Sequence, residues 1–417
     1  MTPAEMLKMA GGAIGALFFI FYAYQVVYAL VPLFAKAPAR REPGMRRYAV
    51  LIAARNEEAV IARLIESIKD QDYPSELVSI FVVADNCTDS TAECARRAGA
   101  EVFERFDKVR AGKGYALSFL LARVHSEYGK EFDGYFVFDA DNLLDRRYIG
   151  EMDRAFGPDC QIVTSCRNSK NYGDSWVSAG NALRFLYDSE LLNRPRMLLG
   201  TACTVGGTGF LVGREALMRA GGWRFFLMSE DTEFTVSSVL AGEKIGYCPS
   251  AVFYDEQPVS FAQSWRQRRR WVRGYIQVFA KYGARALASL RNGGFACYDV
   301  CMSNLPAMLL SLVSAACYVL AAAASLLLGE PLRPILMLAL GSFAGSYLGA
   351  LSVAVYITIT KWRMIHAGAL KKIIYIFTFP IFMLTYVPIS VSALFGAAEW
   401  RPIEHRAACS LREVVRG

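Results

Sequence analysis

The chain has 417 residues, of which 54% are hydrophobic, and its formal net charge is +8. Its ten cysteines include no Cys-x-x-Cys pair and it has only three histidines, which argues against a zinc site or a disulfide framework. The basic residues concentrate beside apolar segments, so we attribute the positive charge to a membrane surface and predict no binding to nucleic acid.

The chain begins with an apolar segment that is long enough to cross a lipid bilayer. Residues from about Ala10 to Phe34 carry no charge, and about 20 apolar residues suffice for a transmembrane helix. The run is too long for a signal peptide. The basic residues that follow are Lys36, Arg40, Arg41, Arg46 and Arg47. We therefore predict a transmembrane helix within residues 1–36, with the N-terminus outside the cell and the next domain in the cytosol.

Residues 46–275 alternate short apolar runs with helical patterns. The runs YAVLIAA, LVSIFVVA, EVFERF and YFVFDA predict strands, and the stretches between them predict helices, the first from Glu57 to Lys69. Such near-continuously apolar strands, separated by helices, are typical of a parallel sheet covered on both faces. We therefore predict an α/β domain, in which ligands bind beyond the carboxyl ends of the strands.

The segment GYFVFDADNLL, residues 134–144, ends one of these strands with two carboxylates, Asp139 and Asp141. Residues two apart in an extended strand point the same way. The spacing alone decides nothing, because Asp70 and Asp72 have the same spacing at a predicted helix end. The position of Asp139 and Asp141 at a strand end is what favours a binding site.

Polar residues at the neighbouring strand ends extend this predicted site. Arg55 and Glu57 follow the first strand, Asp85 ends the second, and Lys113 lies between two glycines before a helix. Each is alternatively a turn residue with a backbone role. Together they favour a nucleotide pocket, and no Walker lysine motif or Gly-x-Gly-x-x-Gly occurs there. A divalent cation held by carboxylates, Mg²⁺ or Mn²⁺, is then the remaining way to hold a diphosphate.

Two later motifs supply further polar side chains. FFLMSEDTEF contains Glu230 and Asp231, and Glu230 is alternatively only a favourable charge at a helix start. In SWRQRRRWVRGY, Gln267, Arg270 and Trp271 share one helix face. A guanidinium can bind a pyrophosphate through two hydrogen bonds, and an indole offers a flat surface to a sugar ring.

The residues around the second motif predict a helix near the membrane. We interpret Arg268 and Arg269 as part of a basic juxtamembrane helix. Residues 276–303 continue with apolar side chains on one face, which suits a helix in the membrane interface. A core helix of the soluble domain is the alternative.

A second apolar block, residues 304–398, predicts further membrane segments. Its parts are about 305–328, 333–360 and 373–397. The first two are clear spans, whereas Pro380 and Pro388 make the third either a kinked helix or a re-entrant piece. The tail, residues 399–417, has a basic excess that favours the cytosolic side.

The motifs ARNEE, ADNCTDST, GKG, DADN, GGTGF, SED and QRRRW occur in this order. They resemble those of a membrane-integrated family 2 glycosyltransferase of the hyaluronan, chitin and cellulose synthase type, over about residues 47–275. The resemblance implies a Rossmann-like GT-A domain that uses a nucleotide sugar, most often UDP-linked, and inverts the anomeric centre. Ala54 stands where many relatives have proline, and the tail motif EWRPIEH differs from the tryptophan-containing motif of hyaluronan synthases.

By the same resemblance, each motif residue has an implied role. The residues implied to bind the nucleotide sugar are Arg55, Glu57, Asp85, Lys113, Asp139, Gln267 and Arg270. Asp141 would bind the Mg²⁺ or Mn²⁺ ion, and Asp231 would be the general base. Trp271 would stack on the acceptor, with Glu230 as the second carboxylate on that side.

These observations predict an inverting, processive glycosyltransferase that builds a polysaccharide or oligosaccharide from a UDP-sugar and passes it across the cell membrane. A non-processive enzyme that glycosylates a lipid, as ceramide glucosyltransferases do, is the nearest alternative. A transporter or receptor with a degenerate nucleotide-sugar-binding domain is the alternative of another class. The complete set of acidic motif positions and the few charges within the apolar segments argue against it.

Overall fold

The computed structural model describes residues 1–36, 41–129, 131–291, 294–304, 306–395 and 409–416. The tail motif EWRPIEH lies outside the described residues. Two helices open the chain, α1 (Pro3–Tyr22) and α2 (Tyr24–Phe34), with a break at Ala23. The helix begins well before the predicted apolar run, because Thr2 and Glu5 form a capping box at its start.

A single mixed sheet organises the middle of the chain. Its eight strands in the described residues are β1 (Tyr48–Ala54), β2 (Val78–Asp85), β3 (Glu101–Arg105), β4 (Gly134–Asp139), β5 (Leu143–Leu144), β6 (Ile162–Ser169), β7 (Phe210–Gly213) and β8 (Ile245–Asp255). Their order is β3-β2-β1-β4-β7-β6-β8-β5. The predicted α/β sheet is confirmed, and β1 to β4 are parallel as expected. Beyond them β7 runs antiparallel to both β4 and β6, so the sheet is mixed.

Helices cover this sheet on both faces. The helices of this part of the chain are α3 (Ile61–Lys69), a 3₁₀ helix (Ser75–Leu77), α4 (Thr91–Ala98), α5 (Lys113–Tyr128), α6 (Tyr148–Ala155), α7 (Trp176–Tyr187), a π-helix (Asp188–Asn193), α8 (Arg194–Leu199), α9 (Arg214–Arg219), α10 (Glu230–Leu240), α11 (Phe261–Ser289) and α12 (Gly294–Asn304). Successive side chains of β1 alternate between two buried clusters, Leu51 packing with Leu117 and Ile52 with Leu64. This two-sided burial explains why β1 is apolar throughout.

The loop between β1 and α3 differs from the predicted helix over 57–69. Asn56 has a positive φ of 57°, and its side-chain oxygen accepts a hydrogen bond from the Thr88 N–H at 2.8 Å. Asparagine tolerates this conformation better than most residues. The helix therefore begins only at Ile61, and Glu57 remains in the loop at the end of the strand.

The C-terminal part is helical. Its helices are α13 (Pro306–Leu328), α14 (Arg333–Thr360), α15 (Ala369–Leu384), α16 (Tyr386–Leu394) and α17 (Leu411–Arg416). Four helical segments of the described chain are long and apolar enough to cross a membrane: Pro3–Phe34, Gly294–Leu328, Arg333–Thr360 and Ala369–Leu394. Within the last one, the helix breaks at Thr385, and Phe382 packs against Gly180 of α7, where an added Cβ would lie 2.4 Å from its ring.

The last apolar segment and the tail helix both contact the domain that contains the sheet. Arg269 and Arg273 of α11 donate hydrogen bonds to carbonyl groups of α16. In the tail, Leu411 and Val414 of α17 pack with Leu143 and Tyr254 of the sheet. The C-terminal end of the chain thus returns to the sheet.

Candidate active site

The two carboxylates after β4 lie at the carboxyl end of the parallel strands. The β1–β4 register pairs Ala53 with Asp139. The Asp139 N–H donates to the Thr208 hydroxyl at 2.9 Å. Asp141 is 6% exposed, and one of its oxygens accepts the Glu256 N–H at 3.0 Å. The backbone and its neighbours therefore fix this pair in place.

Lys113 lies opposite Asp139. Its ammonium group pairs with the Asp139 carboxylate and donates to the Gly207 carbonyl oxygen at 2.7 Å. The flanking glycines are both required, because Gly112 has a φ of 136° and a Cβ on Gly114 would lie 2.0 Å from the Phe225 carbonyl oxygen. The motif GKG is thus a packing requirement that places a cation beside the acidic pair.

Asp85 ends β2 and forms a buried ion pair with Arg105, a residue that the sequence did not single out. Arg105 also donates to the Arg110 carbonyl oxygen at 2.7 Å, and so fastens the loop that leads to Lys113. Asp85 and Arg105 are partners across the β2–β3 register. Because only the pairing of the two strands brings them together, the sequence alone does not reveal this ion pair.

Glu230 and Asp231 form the first turn of α10, as the sequence predicted for a helix start. Burial and the neighbouring Asp231 raise the pKa of Glu230 to about 7, while Lys113 opposes this. Burial also raises the pKa of Asp231 above its ordinary value. The Asp231 carboxylate lies beside Gly207: a Cβ added to this glycine would lie 3.2 Å from the Asp231 Oδ2. This places two carboxyl groups of raised pKa near Lys113.

Gln267, Arg270 and Trp271 lie on the face of α11 that borders the same space. The Gln267 Oε1 and the Arg270 Nε are buried and have no hydrogen-bond partner among the described residues. The Trp271 ring meets the Phe185 ring edge-on, with 6.0 Å between centroids. Unpaired buried polar atoms are rare in folded proteins, so these two groups indicate a place for a ligand.

The neighbouring arginines of this motif point away from that space. Arg268 is fully buried and donates to the Thr385 hydroxyl at 2.7 Å and to the Phe382 carbonyl oxygen at 3.2 Å. Arg269 donates to the Ser392 carbonyl oxygen at 3.1 Å. Both arginines thus bind carbonyl groups and the Thr385 hydroxyl at the break between α15 and α16 and along α16, and the juxtamembrane helix stays a prediction.

The helix after this motif packs on the domain core over part of its length. Val278 belongs to the same buried cluster as Phe234 of α10, and Tyr282 packs against it. Lys281 pairs with the buried Glu233 at 2.6 Å. These contacts favour the core-helix alternative for the residues that directly follow the motif.

All of the candidate residues line one cleft of about 500 Å³. They are Arg55, Glu57, Asp85, Lys113, Asp139, Asp141, Glu230, Asp231, Gln267, Arg270 and Trp271. The structure thus brings together residues from six separate stretches of the sequence. Asp70 and Asp72 are not among them, since both pair with Arg146 on the surface.

Sequence reasoning missed a second ion pair in this cleft. Arg167 of β6 donates from Nε to Asp255 of β8 at 2.6 Å and from Nη1 to the Gly206 carbonyl oxygen at 3.1 Å. Asp255 is 2% exposed and ends its strand at the same edge as Asp139. The strand-end argument would have found Asp255 if β8 had been recognised as a strand.

Asp139 and Asp141 fit a divalent cation by their chemistry. No group of three or more His, Cys, Asp or Glu side chains in the described part of the chain is arranged to hold a metal alone. Magnesium commonly takes one or two carboxylates from the protein and the rest of its oxygens from substrate phosphates and water. Two strand-end carboxylates in a cleft with room for a diphosphate suit that division.

Comparison with known proteins gives a family match. The profile described as "Glycosyltransferase like family 2" matches residues 43–274. A probable glycosyltransferase of Bacillus subtilis (strain 168) is 27% identical over 264 residues, covering 57% of each chain. A beta-monoglucosyldiacylglycerol synthase of Synechocystis sp. is 26% identical over 239 residues, covering 56% of this chain and 48% of the relative. This chain therefore spans about half the length of these relatives.

Two further similarities concern a polymer synthase and a solved structure. A poly-beta-1,6-N-acetyl-D-glucosamine synthase of Staphylococcus aureus is 23% identical over 270 residues, covering 64% of this chain and 63% of the relative. A mannosyltransferase from Pyrobaculum calidifontis, solved with GDP-Man and Mn²⁺, superposes with a TM-score of 0.61 and 19% identity, covering 93% of this chain and 99% of that one. At 19% identity, the similarity to the mannosyltransferase structure shows a shared fold.

Proposed function

The chain belongs to glycosyltransferase-like family 2 and has the GT-A fold, and from this we propose that it transfers a sugar from a UDP-sugar to an acceptor hydroxyl at the cell membrane. The observation that carries the proposal is the single cleft lined by every candidate residue. A chance set of turn residues would have no reason to converge on one space.

The strand-end half of the cleft is the proposed donor site. Arg55, Glu57 and Asp85 lie at the ends of β1 and β2, where they suit the nucleoside of UDP, and Arg270 brings an unsatisfied guanidinium nitrogen that suits the diphosphate. Asp141 would hold Mg²⁺ or Mn²⁺ against the diphosphate. That ion, when bound, would offset the charge that develops on the leaving UDP.

The helix-end half is the proposed acceptor site. Asp231 accepts the proton of the acceptor hydroxyl as its oxygen forms the bond to the anomeric carbon, while the bond to the UDP oxygen breaks. Attack from the face opposite the leaving group inverts the anomeric centre. The raised pKa of Asp231 makes it a stronger base than an exposed aspartate, and Trp271 offers its ring to the acceptor.

We further propose that transfer is processive and that the product passes outward. The cleft reaches Tyr386, the first residue of α16, within an apolar segment, so an acceptor at this end is already beside the membrane. A relative that is a poly-beta-1,6-N-acetyl-D-glucosamine synthase supports a polymer product.

A lipid acceptor is the second candidate. Several relatives are beta-monoglucosyldiacylglycerol synthases, and a cleft that ends at an apolar segment is also open to a membrane lipid. A degenerate binding domain is disfavoured by the convergence of Asp139, Asp141 and Asp231 on that cleft.

The proposed topology puts the N-terminus outside and the sheet in the cytosol, because Arg41, Arg46 and Arg47 follow α2. In a variant without other cysteines, an impermeant thiol reagent should label Lys8→Cys in intact cells. It should label Glu76→Cys, an exposed position at the sheet, only after permeabilisation. Labelling of both in intact cells would contradict this orientation.

The activity is tested by incubating the purified full chain with each common UDP-sugar, and with GDP-mannose as a contrast, while UDP or GDP release and product size are measured. Release from one UDP-sugar together with a growing, water-soluble or fibrous carbohydrate supports the processive proposal. One sugar on an extractable lipid would replace it with the second candidate. Release from none of the donors would overturn the transferase proposal.

A further inference from the structure

The cleft continues beyond Asp231 into a region where the sequence analysis had singled out only Trp271. Its lining side chains there are Arg184, Phe185, Asp188, Trp271, Tyr275 and Tyr386. They come from α7, the π-helix, α11 and α16. We refer to this region as the distal subsite.

An ion pair forms one wall of the distal subsite. Arg184 and Asp188 lie one helical turn apart and pair with each other. Their side chains are only 28% and 30% exposed, so both charges are largely withdrawn from solvent although they border the cleft. Asp188 begins the π-helix Asp188–Asn193, a widened turn of the kind that often occurs at functional sites.

Aromatic rings form the other walls. Trp271 and Tyr275 lie one turn apart on the same face of α11. Tyr386 faces them from the first residue of α16. Burial raises the pKa of Tyr275; among the neighbouring groups, Arg184 lowers it and Tyr386, Asp231 and Asp188 raise it. Tyr275 and Asp231 line the same cleft. The distal subsite therefore directly adjoins the proposed base.

This combination of groups restricts the chemistry of an occupant. A phosphate would meet Asp188 and an ammonium group would meet Arg184, so each would face a like charge. An alkyl chain would remove the remaining water from the ion pair and return no hydrogen bonds, which is costly for a partly buried pair. A neutral ring with several hydroxyl groups can donate to Asp188 and accept from Arg184 while its apolar face covers an aromatic ring.

We propose that Arg184 and Asp188 bind a sugar ring of the acceptor, so that the enzyme extends an acceptor that is already glycosylated. This inference rests on the proposed transferase function and adds the class of acceptor. It separates a glycan or glycolipid from a bare lipid alcohol, because only the former supplies hydroxyl groups at the distal subsite.

The test compares two acceptors with the purified full chain and the UDP-sugar that supports UDP release. One acceptor is monoglucosyl diacylglycerol and the other is diacylglycerol, both in the same detergent. The wild type should transfer to the glycosylated lipid and at least about tenfold less well to diacylglycerol, because charged groups make strong hydrogen bonds to hydroxyls.

The variants Arg184→Gln and Asp188→Asn should each raise the KM for the glycosylated acceptor about 10- to 100-fold, with less than about a threefold change in UDP affinity. Arg184→Lys keeps the charge and loses the planar group, so its KM for the glycosylated acceptor should lie between those of the wild type and Arg184→Gln. The matched control is Arg219→Gln, because Arg219 pairs with Glu243 at an exposed site outside the cleft. Arg219→Gln should change neither the KM for the glycosylated acceptor nor the affinity for UDP.

Equal transfer to both acceptors by the wild type would overturn the inference and leave the transferase proposal standing. An unchanged KM in Arg184→Gln, Asp188→Asn and Arg184→Lys, all with normal UDP binding, would overturn it as well. Absence of UDP release from every donor would be a failure of the proposed function itself.

Discussion

The two Asp-x-Asp pairs of this chain share residue types and spacing and lie in different surroundings. Asp70 and Asp72 follow the end of α3, are 65% and 54% exposed, and pair with Arg146. Asp139 and Asp141 follow β4 and border a cleft with Lys113, and Asp141 is 6% exposed. Exposed ion pairs contribute about 0–1 kcal/mol. The difference shows that the element before a motif, rather than its spacing, decides whether it borders the cleft.

The largest expected effect distinguishes these pairs directly. Asp141→Asn should lower UDP release by about 10³-fold or more, since it removes a carboxylate that would hold the ion at the diphosphate. Asp70→Asn, the matched control, should change it less than about twofold. EDTA should abolish the wild-type activity and Mg²⁺ or Mn²⁺ should restore it. Full turnover in EDTA would contradict the metal role.

A second comparison concerns the carboxyl pair at the start of α10. Asp231→Asn should lower turnover by about 10²–10⁴-fold, because a general base acts in the transition state. UDP affinity, measured by titration calorimetry, should persist. If UDP affinity falls as far as turnover, Asp231 belongs to the donor site, and Glu230→Gln becomes the variant that tests the base.

Trp271→Ala sharpens the contrast between the two halves of the cleft. Loss of the ring should shorten the product and raise the KM for the acceptor about tenfold, since the stacked surface is lost. Hydrolysis of the donor to free sugar and UDP should continue, because the strand-end half is untouched. Product length by gel filtration and UDP release by a coupled assay distinguish these effects. A parallel loss of both would assign Trp271 to the donor site.

The smallest effect concerns stability against pH. Burial and Asp231 raise the pKa of Glu230 to about 7, above its ordinary value of 4.5. The folded state therefore favours the protonated form, and the stability this contributes is present below pH 4.5 and lost as the pH rises through 7. The melting temperature of Glu230→Gln should fall less than that of wild type between pH 5 and 8. Equal slopes would contradict this assignment, and Glu243→Gln at a surface ion pair is the control.

Much of the fold could be predicted because its signals are local. The predicted strands match β1, β2, β3 and β4 nearly to the residue. For β1, β2 and β4 the reason is that a strand covered on both faces is largely apolar. The later strands were missed. Their pairings are antiparallel or irregular, as at the β-bulge between Ser165 and Cys166, and such pairing depends on partners distant in sequence.

The residues of the candidate site also divide into those that the sequence predicted and those that it missed. Motif residues at strand and helix ends were found from the sequence. Arg105 and Arg167 were not, because each pairs with an aspartate that is distant in sequence. Arg184 was not, because its place in the cleft depends on how its helix packs. Arg268 shows the limit most clearly: the sequence suggested a basic juxtamembrane helix, and the fold buries this side chain of α11 against the α15–α16 break.

The sequence by itself determined the family, the parallel half of the sheet and the apolar segments, since each depends on the order and periodicity of nearby residues. Tertiary structure decided that Arg167 and Arg184 join the cleft and where the last apolar segment packs. The physical reason is that burial and charge pairing are properties of residues brought together from distant parts of the chain. The Arg184–Asp188 pair is local in sequence, yet its position beside Trp271 and Tyr386 exists only in the folded protein.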